Sequence, residues 1–238
     1  MNIQSLRKLE ASARQSGIEL WSWLALATAT TIAVHSPCSM LTLFQHTTVL
    51  KPLHEQILVA EFMREIGLRC AAVIGIPRTI DMLSEFRSAL PSNVSAGLNT
   101  RPTRLANAPT ADSMHAQGRV LWHKIHRPYS DLIKNRLAEA HPDLPVFIIE
   151  HEYGFLLSDF GGVVSGRASG IRTSLSAIAS LRAQGASRSQ LAGHIHGLRK
   201  AWEDGSWSSV TDPDTEGGFK WLISDHGCSW LLETVDEL

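Results

Sequence analysis

Apolar residues recur along this chain at intervals of three and four, and runs that alternate every second residue are scarce, so the pattern predicts an all-α protein. A first helix is expected from Ile18 to Val34, stopped by His35-Ser36-Pro37, because proline disfavours a helical residue before it. A second spans Met40 to Thr48. A third spans His54 to Ile74, with Val59, Met63, Ile66, Cys70 and Val73 on one side, and breaks at Gly75 to Pro77. Arg78 to Leu90 forms a fourth. Pro91 to Ala116 is rich in Pro, Ser, Asn and Thr and reads as a linker or lid. Helix resumes over 118–140 with a bend at Pro128, turns at His141 to Pro145, and resumes over 146–160. A glycine-rich loop, Gly161 to Gly170, precedes two helices between Ser174 and Gly205. The segment 219–238 docks its apolar half on the body.

Two of these helical pairs look alike. "WLALATATTIAVHSPCSMLTLFQH" and "SLSAIASLRAQGASRSQLAGHIHG" each join a small-residue helix through a turn to a helix bearing a histidine, His46 or His194. An internal duplication is expected, with a first half at 15–90, the linker at 91–116, and a second half with a C-terminal extension at 117–238.

Composition narrows the function classes. With 238 residues and 44% hydrophobic content, the chain can bury a core of its own. The 22 Lys and Arg balance 23 Asp and Glu, and no basic stripe interleaves with aromatics, so nucleic acid is not an expected partner. The most apolar run, Trp21 to Val34, is shorter than the roughly 20 residues a bilayer span needs, so no membrane association is expected. Three scattered cysteines, Cys38, Cys70 and Cys228, argue against a disulfide framework and for a reducing compartment such as the cytoplasm. The N-terminus has no secretory pattern, though its scattered basic residues also allow a mitochondrial presequence.

Candidate chemistry centres on His194. Leu191, Ile195, Leu198 and Trp202 define the apolar stripe of its helix, and His194 borders that stripe while His196 points outward. An imidazole at such a border can exchange a proton near neutrality, and a core histidine bonded to a carbonyl is the competing reading. Tyr153, followed by Gly154, can hold or protonate an enolate oxygen, or can be a helix-packing pair. Glu65 and Arg69, four apart, read as an exposed ion pair. Cys70 reads as a small core residue. Trp122, His123 and His126 share one short helix without a recognisable metal pattern, so no metal is expected. No glycine-rich phosphate loop follows a strand, so no nucleotide cofactor is expected.

The stretch "RTSLSAIASLRAQGASRSQLAGHIHGLRKAWEDG" resembles the core of the carboxymuconolactone decarboxylase and AhpD-like proteins, and "EFMREIGLRCAAVIGIPRTIDMLSEFR" is similar to the other half of that core. "GRVLWHKIHRPYSD" and "EYGFLLSD" extend the likeness. "HPDLP", "YG.LLSD", "SL.AIA.LRAQ", "H..GL.KA" and a terminal "W.L..VD" resemble a fungal AhpD-like branch. The resemblance implies an all-helical fold, an oligomer of identical chains, and either thiol-based peroxide reduction or carbon-acid chemistry, the latter in fungal secondary metabolism. The thiol branch is not matched: "CAAVIGI" places Cys70 alone, with Val73 where a second thiol would stand. Arg172-Thr173-Ser174 also stands where the superfamily often has an Arg-Glu pair. The expected function is therefore non-redox acid/base chemistry on a small carbon acid, as a lyase or isomerase without a cofactor. His194 and Tyr153 are the candidate catalytic groups. Arg172 or Arg69 would hold a carboxylate, and Trp122, His126 and Ser174 complete the candidate substrate contacts. A catalytically inactive scaffold and a single-cysteine redox protein are the alternatives.

Overall fold

The computed structural model describes residues 2–105, 108–186 and 188–238. Among them the chain is all-α and contains no strand. In order come α1 (Ile3–Gln15), α2 (Leu20–Ala33), α3 (Pro37–Thr48), α4 (Leu53–Ile74), α5 (Ile76–Ala89), α6 (Ser92–Ala96), α7 (Ala108–His126) and α8 (Ser130–Ala140). A single turn, α9 (Leu144–Val146), runs directly into a π-helix, Phe147–Leu157. Then follow α10 (Val163–Ala168), α11 (Ile171–Ala183), α12 (Arg188–Glu203), a 3₁₀ turn (Ser206–Ser209), α13 (Glu216–Leu222) and α14 (Asp225–Glu237).

The centre is built on α2, whose residues from Ser22 to Ala33 are all buried, as expected of a helix with no polar face. Two of its three threonines bond back along the helix, Thr30 Oγ1 to Leu26 O at 2.9 Å and Thr31 Oγ1 to Thr28 O at 2.8 Å, while Thr28 Oγ1 has no partner among the described residues. The equally small-residued α11 packs along α2, and α4 packs against both. The two helices matched in the sequence duplication therefore face each other. Helix ends follow local chemistry: Ser36 caps α3 by accepting from Ser39 N, with Pro37 in the first turn, and Gly75, at φ 83°, separates α4 from α5.

Two apolar clusters divide the chain differently from a 15–90 and 117–238 split. The main core joins α1 to α5 with α11, α12 and α14. A satellite core of Trp122, Ile125, Ile149, Tyr153 and Leu157 lies under α7, α8 and the π-helix.

Three expected boundaries also change. α1 occupies the N-terminus, a segment without an expected helix, and buries Leu6, Leu9 and Ala13. The 91–116 segment is not simply a linker, because α6 and Leu98 dock on the body with Val94 and Leu98 buried, and α7 already begins at Ala108; residues 106–107 lie outside the described residues. The glycine-rich loop carries α10, which packs on α4.

Candidate functional site

Where the satellite core meets the main one, the structure leaves a cavity of about 600 Å³, walled by α4, α7, α8, the π-helix, α11 and α12. That size is ordinary for a small-molecule site, and the seam between packed units is an ordinary place for one. Arg69, Trp122, His126, Tyr153 and His194, five of the seven candidate residues read from the sequence, line it.

The π-helix sets one wall. It crosses α7 at a pair of glycines: a Cβ on Gly118 would overlap the Ile149 carbonyl and lie 2.6 Å from Gly154 N, and one on Gly154 would lie 2.9 Å from Met114 O. Gly154 thus serves the close approach of a helix. The wide turn of the π-helix puts Ile148, Glu152, Tyr153 and Leu157 all on the cavity side.

Tyr153 is buried, and its hydroxyl lies 2.9 Å from His126 Nε2. With His126 donating its Nε2–H to the phenolic oxygen, the Tyr153 O–H is left free for the cavity. The His126 ring is held against Trp122, with centroids 4.0 Å apart, and stands 6.0 Å from the His194 ring. Across from it, His194 Nδ1 is sealed without a hydrogen-bond partner. The neutral tautomer carrying its proton on Nε2 avoids a buried orphan donor and presents Nε2–H to the cavity. Gly197, one turn on, lets α12 approach α7: its Cβ would meet Ile125 Cγ2 at 3.3 Å.

Burial sets the protonation states. It lowers His194 to about 4, and lowers His126 to about 3 with the help of His194 and Lys200, so both imidazoles are neutral at pH 7. Burial, reinforced by Glu152, raises Tyr153 above its ordinary value and keeps the phenol protonated. Burial raises the half-buried Glu152 to about 7. Glu152 has no hydrogen-bond or ion-pair partner among the described residues, and sequence reasoning did not select it.

The two arginines proposed as carboxylate holders are otherwise occupied. Arg69 spends all five donors on the protein: Nε on Glu65 at 2.8 Å, Nη1 on Leu157 O and Thr173 Oγ1, and Nη2 on Ser158 O at 3.2 Å and Ser165 Oγ at 3.5 Å. The Glu65–Arg69 pair is buried, not exposed, and Arg104 joins it while bonding Leu156 O. Together Arg69 and Arg104 tie down the carbonyls at the C-terminal end of the π-helix, a favourable place for cations. Arg172 is fully buried away from the cavity. It bonds Arg167 O at 2.9 Å, Thr211 O at 2.8 Å, Asp212 O and Ser22 Oγ, because α11 enters the core beside the 211–214 loop. Ser174, one residue beyond the α11 face that reaches the first cavity, lines a separate cavity of about 460 Å³ between α7, α11 and α12. His46 also sits elsewhere, 2.9 Å from Glu10.

Cys70 lines the main cavity and is buried. Burial raises its thiol to about 11 against a hydrogen bond from Ser180 Oγ at 3.4 Å. Cys38, Cys70 and Cys228 are all free. Among the described residues there is no cluster of three metal-ligating side chains and no helix long and apolar enough to cross a membrane. No family model, curated protein or solved structure matches the chain.

Proposed function

We propose that the protein is a carboxymuconolactone-decarboxylase-like, AhpD-like enzyme that moves a proton on a small carbon acid, isomerising or decarboxylating it without a redox step. One observation carries the reading: segments far apart in sequence bring a hydrogen-bonded Tyr153–His126 pair and an unpartnered His194 to one cavity of about 600 Å³. Removing a proton beside a carbonyl places negative charge on its oxygen. The Tyr153 hydroxyl and His194 Nε2–H are neutral donors already fixed and dehydrated, so they gain most as that charge develops. His126 holds the phenol in place by donating Nε2–H to its oxygen, which leaves the phenol O–H for the substrate.

The test is solvent deuterium uptake followed by NMR in D₂O, with α-angelica lactone, a β,γ-unsaturated lactone, alongside small β,γ-enones and 3-oxo acids. Exchange or isomerisation by the wild type is expected, and His194→Gln should slow it by about 10² to 10³, the usual effect of losing one oxyanion donor. No exchange above the double variant His194→Gln/Tyr153→Phe, for any compound, would refute the reading.

The low basicity of both imidazoles favours a second reading, a small-molecule binding protein, which predicts ligand retention in the cavity without exchange. A redox role for Cys70 is disfavoured, since a thiol raised to about 11 carries almost no thiolate at neutral pH.

A further inference from the structure

The two hydrogen-bond donors of the site leave open which group takes the proton from carbon. We infer that the Glu152 carboxyl is that group, a catalytic residue on the same π-helix wall as Tyr153, open to the cavity and free of any hydrogen-bond or ion-pair partner among the described residues. The inference rests on the proton-transfer reading of the cavity.

The titratable and charged groups facing Glu152 can be taken wall by wall. From α4 come Arg69, whose donors are all engaged, and Cys70, whose thiol stays protonated. From α7 comes His126, whose Nε2 is already engaged with the Tyr153 hydroxyl. From α8 comes Arg136, exposed at the rim. The π-helix adds the Tyr153 phenol, α11 contributes only hydroxyls, and α12 contributes His194. Each imidazole would have to become a buried cation to act as a base. Glu152 becomes neutral on accepting a proton, which is the form its surroundings favour. Its pKa of about 7 also leaves both forms populated at neutral pH, the condition for efficient proton transfer.

The step balances within the cavity. The substrate C–H bond breaks and an O–H bond forms on Glu152. The electron pair moves into an enolate whose oxygen is held by Tyr153 and His194. The Glu152 carboxyl exchanges that proton with solvent and returns a deuteron to the same carbon, giving exchange in D₂O, or it delivers the proton or deuteron to the far end of the enolate, giving the isomer. No oxidant or reductant is needed.

The experiment compares wild type, Glu152→Gln, Glu152→Asp and His194→Gln, using α-angelica lactone in D₂O from pH 5 to 9. The carboxyl bands are followed by infrared titration over the same range. Wild-type rate is expected to rise with pH to a plateau through a midpoint near 7. Glu152→Gln should lose at least about 10²-fold and the pH limb with it. Glu152→Asp should retain partial activity, and His194→Gln should be slower with the same limb. A carboxyl band titrating near pH 7 should be present in wild type and absent in Glu152→Gln. Wild-type exchange that depends on His194 but survives Glu152→Gln within threefold overturns the role of Glu152 alone. An infrared band near 7 that persists in Glu152→Gln overturns it too. Absence of exchange in wild type overturns the cavity reading and this inference together.

Discussion

Replacing Arg69 by methionine separates a structural role for that residue from the substrate-holding role its spacing suggested. Arg69 is 2% exposed, and its guanidinium is ion-paired to Glu65 at 2.8 Å and bonded to the Leu157 and Ser158 carbonyls, which end the π-helix. Methionine fills similar volume but leaves those two carbonyls unpaired in the interior and takes one cation from Glu65, which keeps Arg104. Losing one partner of a buried pair typically costs about 3 to 5 kcal/mol. The retained Arg104 contact places the expected loss near 3 kcal/mol, a large share of a typical total of about 5 to 15. For a chain of this length that corresponds to a melting point lower by roughly 6 to 12 °C. Urea denaturation followed by circular dichroism should show the midpoint fall with the slope unchanged. Arg69→Lys should recover only part of the loss, since an ammonium cannot reproduce the fork that reaches five acceptors. A methionine variant within about 0.5 kcal/mol of wild type, a difference typical of surface substitutions, would refute the clamp. So would an unchanged melt accompanied by weaker ligand binding.

Two further outcomes follow from burial at the same cavity. His126 and His194 have folded-state values of about 3 and 4, below the ordinary imidazole value near 6.5, so their stabilising contribution is complete above pH 6.5 and is lost as pH falls toward 4. Urea melts at pH 6.5 and 4.5 should show a smaller acid loss for the double variant His126→Gln/His194→Gln than for wild type, and parallel losses would contradict the assignment. Glu152 acts in the opposite sense, its contribution fading as pH rises toward 7, and is common to both proteins. Under native conditions iodoacetamide should label the exposed Cys38 well before Cys70, and mass spectrometry showing equal rates would contradict the raised thiol pKa.

Periodicity made the central helices legible because their apolar positions meet a core on a regular stripe. Val59, Met63, Ile66 and Cys70 are buried, and Val73, at the end of that row, is only partly buried and lines the cavity with Cys70. The same rule marks α1, since Leu6, Leu9 and Ala13 lie at i, i+3 and i+7 and are buried together. The 91–116 segment misled through composition: its Ser, Pro and Asn content outweighed Val94 and Leu98, two apolar residues four apart that are enough to dock a short helix.

At the site, residue type was legible but availability was not. A histidine beside an apolar stripe and a tyrosine beside glycine stand out in sequence. Whether an arginine has a donor left for a ligand is decided by acceptors 88 and 104 residues away, on Leu157 and Thr173. Glu152 was hidden by helix geometry. Residues 148 and 157 are nine apart, about two and a half turns of an α-helix, so an α-helical reading sends them to opposite faces. In the π-helix the same nine residues make about two turns, and Ile148 and Leu157 line one wall with Glu152 and Tyr153 between them. The wider turn therefore brings an acidic side chain and a phenol to the same cavity, and the chemistry proposed here depends on that backbone winding as much as on the residues it carries.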